Sequence, residues 1–319
     1  MARMRQLRAF VRPAMRAIRT LRLLMFPSQT RDLYALGVLG SSERDLDQFY
    51  FVNRKHYLSR FFDLRQRVQS VVSHYRHEQQ HFDREYQALV YRTRSGLTLW
   101  EHWADGVRVS LRLCVSGDYR YEGDVSVGLY VDEQHIAFVS YSFVEAANFG
   151  LPSGATLFVT RVQITGGAAV AQFRACFRHC SPQYFCLAAI VGIAMANGLK
   201  SIAVIKAEAQ VCYQPQLGEG FRYWYCDFWS QFGARSIDSQ AYLLDVPLKL
   251  SPVQAVASKH RARAVTRRHH WEVITRQTEA RIRSHRLHAG VTAGVSAAWL
   301  YLCECFCSGG VLAKFGELA

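Results

Sequence analysis

The sequence predicts an α/β (α+β) protein built on a mixed, mainly antiparallel sheet with a central strand-helix-strand crossover. From residue 98 to residue 165, hydrophobic side chains recur at every second position in five segments separated by turn sequences. This pattern is typical of an antiparallel meander. Residues 156–205 then read as a strand, a small-residue turn, helical sequence and a second short strand. A helix that connects two neighbouring strands forms a right-handed crossover, so these two strands should pair in parallel.

The chain is long enough to bury a substantial core, because half of its 319 residues are hydrophobic. Its composition changes along its length, and this change divides it into five parts. Residues 1–30 form a basic amphipathic segment, residues 31–95 a helical region, residues 96–250 the mixed-sheet core, residues 251–288 a basic helical arm, and residues 289–319 an apolar tail.

The positive charge is concentrated in two of these parts. The net charge is +14, and residues 1–31 hold eight arginines and no acid, whereas residues 259–288 hold nine Lys or Arg and two Glu. The remainder of the chain is nearly neutral. Positive charge confined to two segments in this way is typical of arms that bind a surface or an anionic ligand. No base-stacking platform or groove-reading motif accompanies the charge, so nucleic acid is the least favoured partner.

Cysteine usage indicates a reducing compartment. The nine cysteines are odd in number, the chain is long, and no cleavable signal with an uncharged apolar core is visible. We therefore expect a cytoplasmic protein. We expect no metal, because neither Cys176 and Cys180 nor the cysteines at 303, 305 and 307 have the paired spacing of a structural zinc site.

Residues 1–26 predict an amphipathic helix that is interrupted by Pro13. Apolar residues recur at helical spacing with arginines between them. Such a helix can lie on an anionic membrane surface. It can equally pack on the domain, or form a disordered leader, and the sequence leaves these alternatives open. Residues 43–53 and 64–76 predict two further helices, the second of which carries an apolar face of Val68, Val71, Val72 and Tyr75.

The predicted strands and helices of the core succeed one another along the chain in the following order. The alternating segments predict about four strands, continued by residues 156–165, with Glu122 at the start of the third strand. Residues 170–179 and 183–197 predict helices, and the second of these, which follows Pro182, is apolar on nearly all sides and should be buried. Short strands are expected at 201–205 and 242–246, on either side of an aromatic stretch.

The turn after the central strand resembles a loop of a known fold. It reads Gln163-Ile164-Thr165-Gly166-Gly167-Ala168 and is similar to the Q/R-x-x-G-x-G/A loop of the GCN5-related N-acetyltransferase fold. The resemblance implies an acyltransferase-like core in which Gln163, Gly166, Gly167 and Ala168 hold the pyrophosphate of acyl-coenzyme A. Glycine allows the backbone to approach a phosphate closely, and the start of a helix favours an anion.

A second resemblance covers about residues 50–275. It is carried by the segments His56-Tyr57-Leu58, Leu64-Arg65-Gln66-Arg67, Ser73-His74-Tyr75, Tyr121-Glu122-Gly123-Asp124, Arg161-Val162-Gln163, Gly198-Leu199, Asp227-Phe228-Trp229 and Ser258-Lys259-His260-Arg261-Ala262. In these segments the chain is similar to the VirK/YbjX family of bacterial proteins (DUF535). The resemblance implies a link to virulence and to survival under envelope stress, including antimicrobial peptides, without a settled biochemical activity.

Three residues are candidates for catalysis. Glu122 is the candidate base for amine acylation, and its alternative role is that of a turn carboxylate or a partner of a strand arginine such as Arg120. Arg161 lies in an apolar strand and must have an anionic partner, either Glu122 or a substrate group. Asp227 with Tyr225 is a candidate acid, with aromatic core packing as the alternative.

These observations support two hypotheses. The first is an acyltransferase-like protein at the inner face of a bacterial membrane, which transfers an acyl group from a thioester donor to an amine-bearing acceptor. The second is a non-catalytic, membrane-peripheral accessory factor that binds an anionic or lipidic ligand. In both, residues 1–26 and 259–286 would contact the anionic membrane surface.

Overall fold

The computed structural model describes residues 21–37, 50–104 and 106–287. Within these ranges, eight strands form one sheet with the order β1-β2-β3-β4-β5-β6-β8-β7. The pairs are antiparallel except for β5 and β6, which are parallel, with Phe158 opposite Ala203. The mixed sheet and its crossover are therefore confirmed. The strands are β1 Leu97–Ala104, β2 Val107–Val115, β3 Val125–Val131, β4 Gln134–Glu145, β5 Ala155–Ile164, β6 Ser201–Ile205, β7 Arg235–Ser236 and β8 Ala241–Asp245.

Helices precede the sheet, cross over it and follow it. The start of α3 is set by a capping box, in which the Asp63 side chain accepts from the Gln66 amide at 2.8 Å and the Gln66 side chain accepts from the Asp63 amide at 3.0 Å. The helices are α1 Pro27–Ala35, α2 Tyr50–Asn53, α3 Leu64–His81, α4 Arg84–Arg92, α5 Ala168–Cys176, α6 Pro182–Ala196, α7 Gly218–Arg222, α8 Phe228–Ser230 and α9 Ser258–Ser284, with a π-helical turn at Tyr223–Asp227 between α7 and α8.

The crossover helix α6 lies between the sheet and α9. Thirteen of its 15 residues are buried, as its apolar sequence predicts, because one side packs on the meander and the other on α9. Thr275 Oγ1 donates to the Ala188 carbonyl at 3.0 Å, and Arg286 Nη1 donates to the Ala196 carbonyl at 2.6 Å. The contacts advance in the same direction along both helices, so α6 and α9 are parallel and their N-termini point the same way.

Several sequence expectations are corrected. The segment around Glu122 does not enter a strand: it ends a 3-10 helix, Gly117–Glu122, and β3 begins only at Val125. Gly123 separates the two elements with φ of 130°, a conformation that favours glycine. The aromatic stretch is helical, and β7 was not expected.

Other expectations lie partly or wholly beyond the described ranges. Residues 1–20 and 289–319 are among them, as is most of the helix expected at 43–53. Among the helices that are described, none combines the length and apolar composition needed to cross a bilayer.

The close contact between α6 and α9 predicts a sensitive position. A Cβ atom at Gly192 would lie 2.6 Å from the Thr275 carbonyl oxygen, so Gly192→Ala should push the helices apart and lower the free energy of unfolding by about 1–3 kcal/mol. Urea denaturation would measure this loss. Gly220→Ala is the matched control, because Gly220 is also helical but has open space around it; equal stability of both variants would contradict the prediction.

Candidate functional site

Glu122 is held at the end of its 3-10 helix by donors from two other segments, β5 and residues 210–212. Its side chain is only 3% exposed. Oε2 accepts from Arg161 Nε at 3.2 Å and from Gln210 Nε2 at 3.0 Å, whereas Oε1 accepts from the Cys212 thiol at 3.1 Å. The Glu122 carbonyl accepts from Thr160 Oγ1 at 2.5 Å. Of the alternatives for Glu122, the structure therefore favours the partner of a strand arginine, and that arginine is Arg161.

Arg161 is almost fully buried in β5, with 7% of its surface exposed. Its guanidinium lies between two rings, 4.0 Å from the centroid of Tyr119 and 4.3 Å from that of Phe138. Nη2 donates to the Gln163 side chain, while the buried Nη1 has no hydrogen-bond partner among the described residues. A buried guanidinium is tolerated when it is paired and stacked in this way.

The groups around this pair are held in their neutral forms. Burial, followed by the nearby Glu122 carboxylate, raises the pKa of the Cys212 thiol to about 11. The same two causes raise the pKa of the Tyr121 hydroxyl. Because only the thiolate is a strong nucleophile, Cys212 acts here as a hydrogen-bond donor at neutral pH.

Glu122 does not present a free oxygen to a substrate. A general base must come within hydrogen-bond reach of the proton that it removes. Both carboxylate oxygens of Glu122 already accept from protein donors, and the side chain is buried. The geometry therefore favours a structural ion pair over a base that is ready for proton transfer.

The end of β5 beyond the parallel pair is occupied by Tyr225. Its hydroxyl lies 3.4 Å from the Val162 amide, which donates to it, and 3.5 Å from the Val162 carbonyl. Tyr225 is 6% exposed and packs with Phe158, Ala203 and Ile205 of the two parallel strands. The Val162 amide at this end of β5 is therefore hydrogen-bonded within the protein, to the hydroxyl of a buried tyrosine.

The turn after β5 is open. Gly166, Gly167 and Ala168 are exposed, and no atom lies within 4 Å of a Cβ built on either glycine. Thr165 ties the turn to the start of β4, because its amide donates to the Ile136 carbonyl at 2.8 Å. The helix α5 begins at Ala168 without a side-chain cap. The turn can therefore be approached by an anion, whereas Gln163 is directed to Arg161.

Asp227 is not joined to the pair of Glu122 and Arg161. It is exposed, while Tyr225, two residues earlier in the same helical segment, is buried. Residues two positions apart on a helix do not share a face. The seven predicted site residues thus fall into three groups: the buried pair with Gln163, the open turn, and the isolated Asp227.

A buried polar cluster beside the end of β4 was missed at the sequence level. Asp124 accepts from Tyr57 Oη at 2.5 Å and from Ser142 Oγ at 2.6 Å. His74 of α3 accepts from the Phe143 amide at 3.2 Å, and burial lowers the pKa of His74 to about 4. Burial also raises the pKa of Glu78 to about 8. The polar Asp124 next to an otherwise apolar strand was the one signal that could have indicated this cluster.

One group of potential metal ligands occurs among the described residues. Ligand atoms of Asp83, Glu85 and His285 lie within 4.8 Å of one another. Asp83 is already the cap of α4, since Oδ1 accepts from the Tyr86 amide at 2.7 Å, and its other oxygen lies 3.2 Å from His285 Nδ1. Helix capping accounts for this arrangement.

The comparisons with known proteins identify a family but no function. A family model described as a protein of unknown function (DUF535) matches residues 10–280. No curated protein and no solved structure matches the chain. The expected family is thereby confirmed, and the GCN5-related core gains no support from these comparisons.

The buried pair predicts a large effect on stability. Glu122→Ala leaves the Arg161 charge buried and unpaired, so we expect the free energy of unfolding to fall by about 3–5 kcal/mol. The double variant Glu122→Ala/Arg161→Met removes both charges and should regain a large part of that loss. Urea denaturation measures the free energy of unfolding of both variants.

Asp32→Ala, which breaks the exposed pair with Arg76, is the control and should lower the free energy of unfolding by less than about 1 kcal/mol. A double variant no more stable than the single one would refute this account.

Proposed function

Because the chain belongs to the DUF535 family, whose function is unknown, we propose from its own geometry that it is a non-catalytic protein that binds an anionic ligand. In this proposal, the first half of α9 is the basic surface that contacts the ligand or the anionic membrane that carries it. The location is the inner face of a bacterial membrane, and the protein is peripheral there.

The observation that carries the proposal is the charge at the start of α9. Residues 258–271 contain five cations and no acid, and Ala257 at the N-cap offers no side-chain cap. A helix N-terminus has a partial positive charge, which favours anions and disfavours cations. The five cations are Lys259, Arg261, Arg263, Arg267 and Arg268. The first two lie in the first turn, where the helix opposes them, and an anionic partner would relieve that repulsion.

The two halves of α9 differ in how much they are buried against the rest of the protein. In the second half, Ile274, Thr278 and Ile282 are buried, and Arg283 pairs with Glu279 at 2.7 Å. In the first half, Lys259, Arg261 and Arg263 are exposed. The second half therefore fixes the helix on α6, while the first half can lie against a negatively charged surface.

Binding without chemistry agrees best with the buried pair. Both oxygens of Glu122 accept from protein donors, and the Val162 amide is bonded to Tyr225. An acyl transfer would need a base and an oxyanion donor that face the substrate. Neither group is presented in this way, so we assign Glu122 and Arg161 to the stability of the fold.

Acyl transfer is kept as a second candidate because the turn at Gly166 is open. In that candidate, the turn holds the phosphates of acyl-coenzyme A. The amine of an acceptor attacks the thioester carbonyl, the carbon–sulfur bond breaks, and the thiol leaves as the amide forms. The open space around Gly166 and Gly167 supports this candidate.

We expect the full chain to float with anionic vesicles and to be released by salt. The variant Lys259→Glu/Arg263→Glu should bind at least about tenfold more weakly, since each cation near such a surface contributes about 1 kcal/mol. Acids near a helix N-terminus stabilise the helix, so unfolding is not the expected cause of the loss.

The matched control for flotation is Arg276→Glu/Arg281→Glu, which makes the same charge change at exposed positions in the second half of α9. Similar binding by the two double variants would contradict the proposed surface, and absence of flotation of the unaltered chain would remove the membrane location. Deletion of residues 1–20 tests the other basic segment and spares Leu23, which is buried.

The second candidate predicts heat on titration with acetyl- or long-chain acyl-coenzyme A. Gly166→Asp should abolish this heat, because it places a carboxylate where the phosphates would lie, and the open space and ordinary φ at Gly166 allow the change without strain. Calorimetry on both proteins is the measurement. No heat from the unaltered chain with either donor would eliminate acyl transfer, whereas the anion-binding proposal would be unaffected.

A further inference from the structure

A cavity of about 550 Å³ lies where the N-terminus of α6 meets the first half of α9. The turn after α8 and the segment around Ser251 complete its walls. Three cations line it, namely Lys249, Arg267 and Arg268, and none of the described residues that line it is acidic. Because α6 and α9 are parallel, the positive end of the α6 dipole also faces this side of the protein.

One wall of the cavity is aromatic. The rings of Tyr184 and Trp271 are stacked with centroids 5.4 Å apart, and Phe232 lies 5.6 Å from Tyr184 and 6.1 Å from Trp271. Tyr184 Oη donates to Gln231 Oε1 at 2.7 Å, which fixes the ring. The cavity therefore offers a rigid apolar surface beside its cations, and such a combination suits a ligand with an anionic head and an organic body.

Two donors at this cavity have no partner within the described part of the chain. The Nε atom of Arg267 and the Nε1 atom of Trp271 are both buried and make no hydrogen bond. Buried donors are nearly always satisfied in native proteins. Both residues line the cavity, so the two unpaired donors lie on side chains that form its wall.

The segment that precedes α6 adds a further favourable element. Ser181 is the N-cap of this 15-residue helix but makes no side-chain capping bond, and Pro182 follows it. Ser181 lines the cavity. An anion at this point would interact favourably with the start of the helix, which adds to the attraction of the arginines.

A second basic cavity does not share these properties. It measures about 350 Å³ and contains Arg108, Arg112 and Arg281, but Glu133 is also part of its lining. Glu133 pairs with Arg112 at 2.6 Å and with Arg108 at 3.0 Å. Its charge is thus largely neutralised by the protein itself. In the cavity between α6 and α9, Lys249 pairs with Asp245 at 2.7 Å, whereas Arg267 and Arg268 have no acidic partner among the described residues.

We infer that the cavity between α6 and α9 binds the phosphate group of a phosphate ester, with the organic part of the ester against Tyr184, Phe232 and Trp271. Arginine matches phosphate geometry through its planar fork of donors. Either a soluble phosphate ester or the headgroup of an anionic lipid supplies this chemistry. The inference rests on the proposed binding of an anionic ligand, but it does not require the membrane location.

The test is calorimetric titration of the full chain with inorganic phosphate, phenyl phosphate and dihexanoyl phosphatidic acid below its micelle concentration. We expect saturable binding, tighter for phenyl phosphate than for inorganic phosphate because of the aromatic wall. Arg267→Gln should weaken binding at least tenfold. Arg276→Gln is the matched control, since it removes one charge from the same helix at an exposed position outside both the cavity and the proposed basic surface, and it should change affinity less than twofold.

Two conservative variants test the arginine fork and the aromatic wall separately. Arg267→Lys retains the charge without the fork and should show intermediate affinity, and Trp271→Phe should weaken phenyl phosphate more than inorganic phosphate. Thermal unfolding of each variant verifies folding. Equal effects of Arg276→Gln and Arg267→Gln would show that the probes respond only to the overall surface charge and would overturn the inference, as would the absence of saturable binding by the unaltered chain.

The outcomes also separate this inference from the proposed function and distinguish the two ligand sources. Tighter binding of the phosphatidic acid than of phenyl phosphate supports a lipid headgroup, and the reverse order supports a soluble ester. If flotation depends on Lys259 and Arg263 while Arg267→Gln binds the soluble probes normally, the cavity inference fails and the membrane proposal stands. If the unaltered chain does not float with vesicles but Arg267→Gln weakens binding of the soluble probes, the membrane proposal fails and the cavity inference stands.

Discussion

The constraint on which the structure depends is the complete burial of α6. An apolar helix cannot face water on any side, so it must be covered twice. The meander covers one side and α9 covers the other. Gly192 allows the second contact to be close, because the absence of a side chain lets the Thr275 carbonyl approach. The parallel arrangement of α6 and α9 then carries the first half of α9 past the start of α6. The basic surface and the cavity beneath it are consequences of this packing.

The buried ion pair is best understood as a second requirement of the core. Arg161 enters the interior from β5, and a buried charge of this kind is tolerated only when it is paired and its remaining donors are largely satisfied. Glu122 supplies the paired charge, and its carboxylate also accepts hydrogen bonds from Gln210 and Cys212. The pair thereby joins three separate parts of the chain at the place where β5 extends beyond β6. Tyr225, from the π-helical turn Tyr223–Asp227, also contacts this end of β5, where the Val162 amide donates to its hydroxyl. A residue of unusual type in an apolar strand is thus explained by the fold without a substrate.

The sequence was a good guide wherever local periodicity decides the structure. Alternation predicted the meander, and the uniformly apolar run after Pro182 predicted a buried helix in the right place. It was a poor guide where distant segments meet. Nothing near Glu122 indicates that Gln210 and Cys212, about ninety residues later, would bond to it. The same holds for Tyr225, whose aromatic neighbours suggested only core packing, although its hydroxyl contacts the Val162 backbone. The strand expected at Glu122 was wrong because Gly123 takes a left-handed conformation that interrupts the extended backbone.

The electrostatics of α9 differ from those of the rest of the protein, and this difference is the basis of the proposed anion binding. In the core, each described charge that is deeply buried has a partner: Arg161 pairs with Glu122, and Asp124 accepts from two hydroxyl groups. At the start of α9, in contrast, the cations of the first turn crowd a helix end that disfavours them. Two donors near this end are buried without acceptors, as is Arg161 Nη1 in the core. Natural sequences are largely consistent between local preference and global structure, and departures concentrate where a ligand completes the arrangement. An anion at this position would supply the missing negative charge, which no rearrangement of the surrounding cations could do.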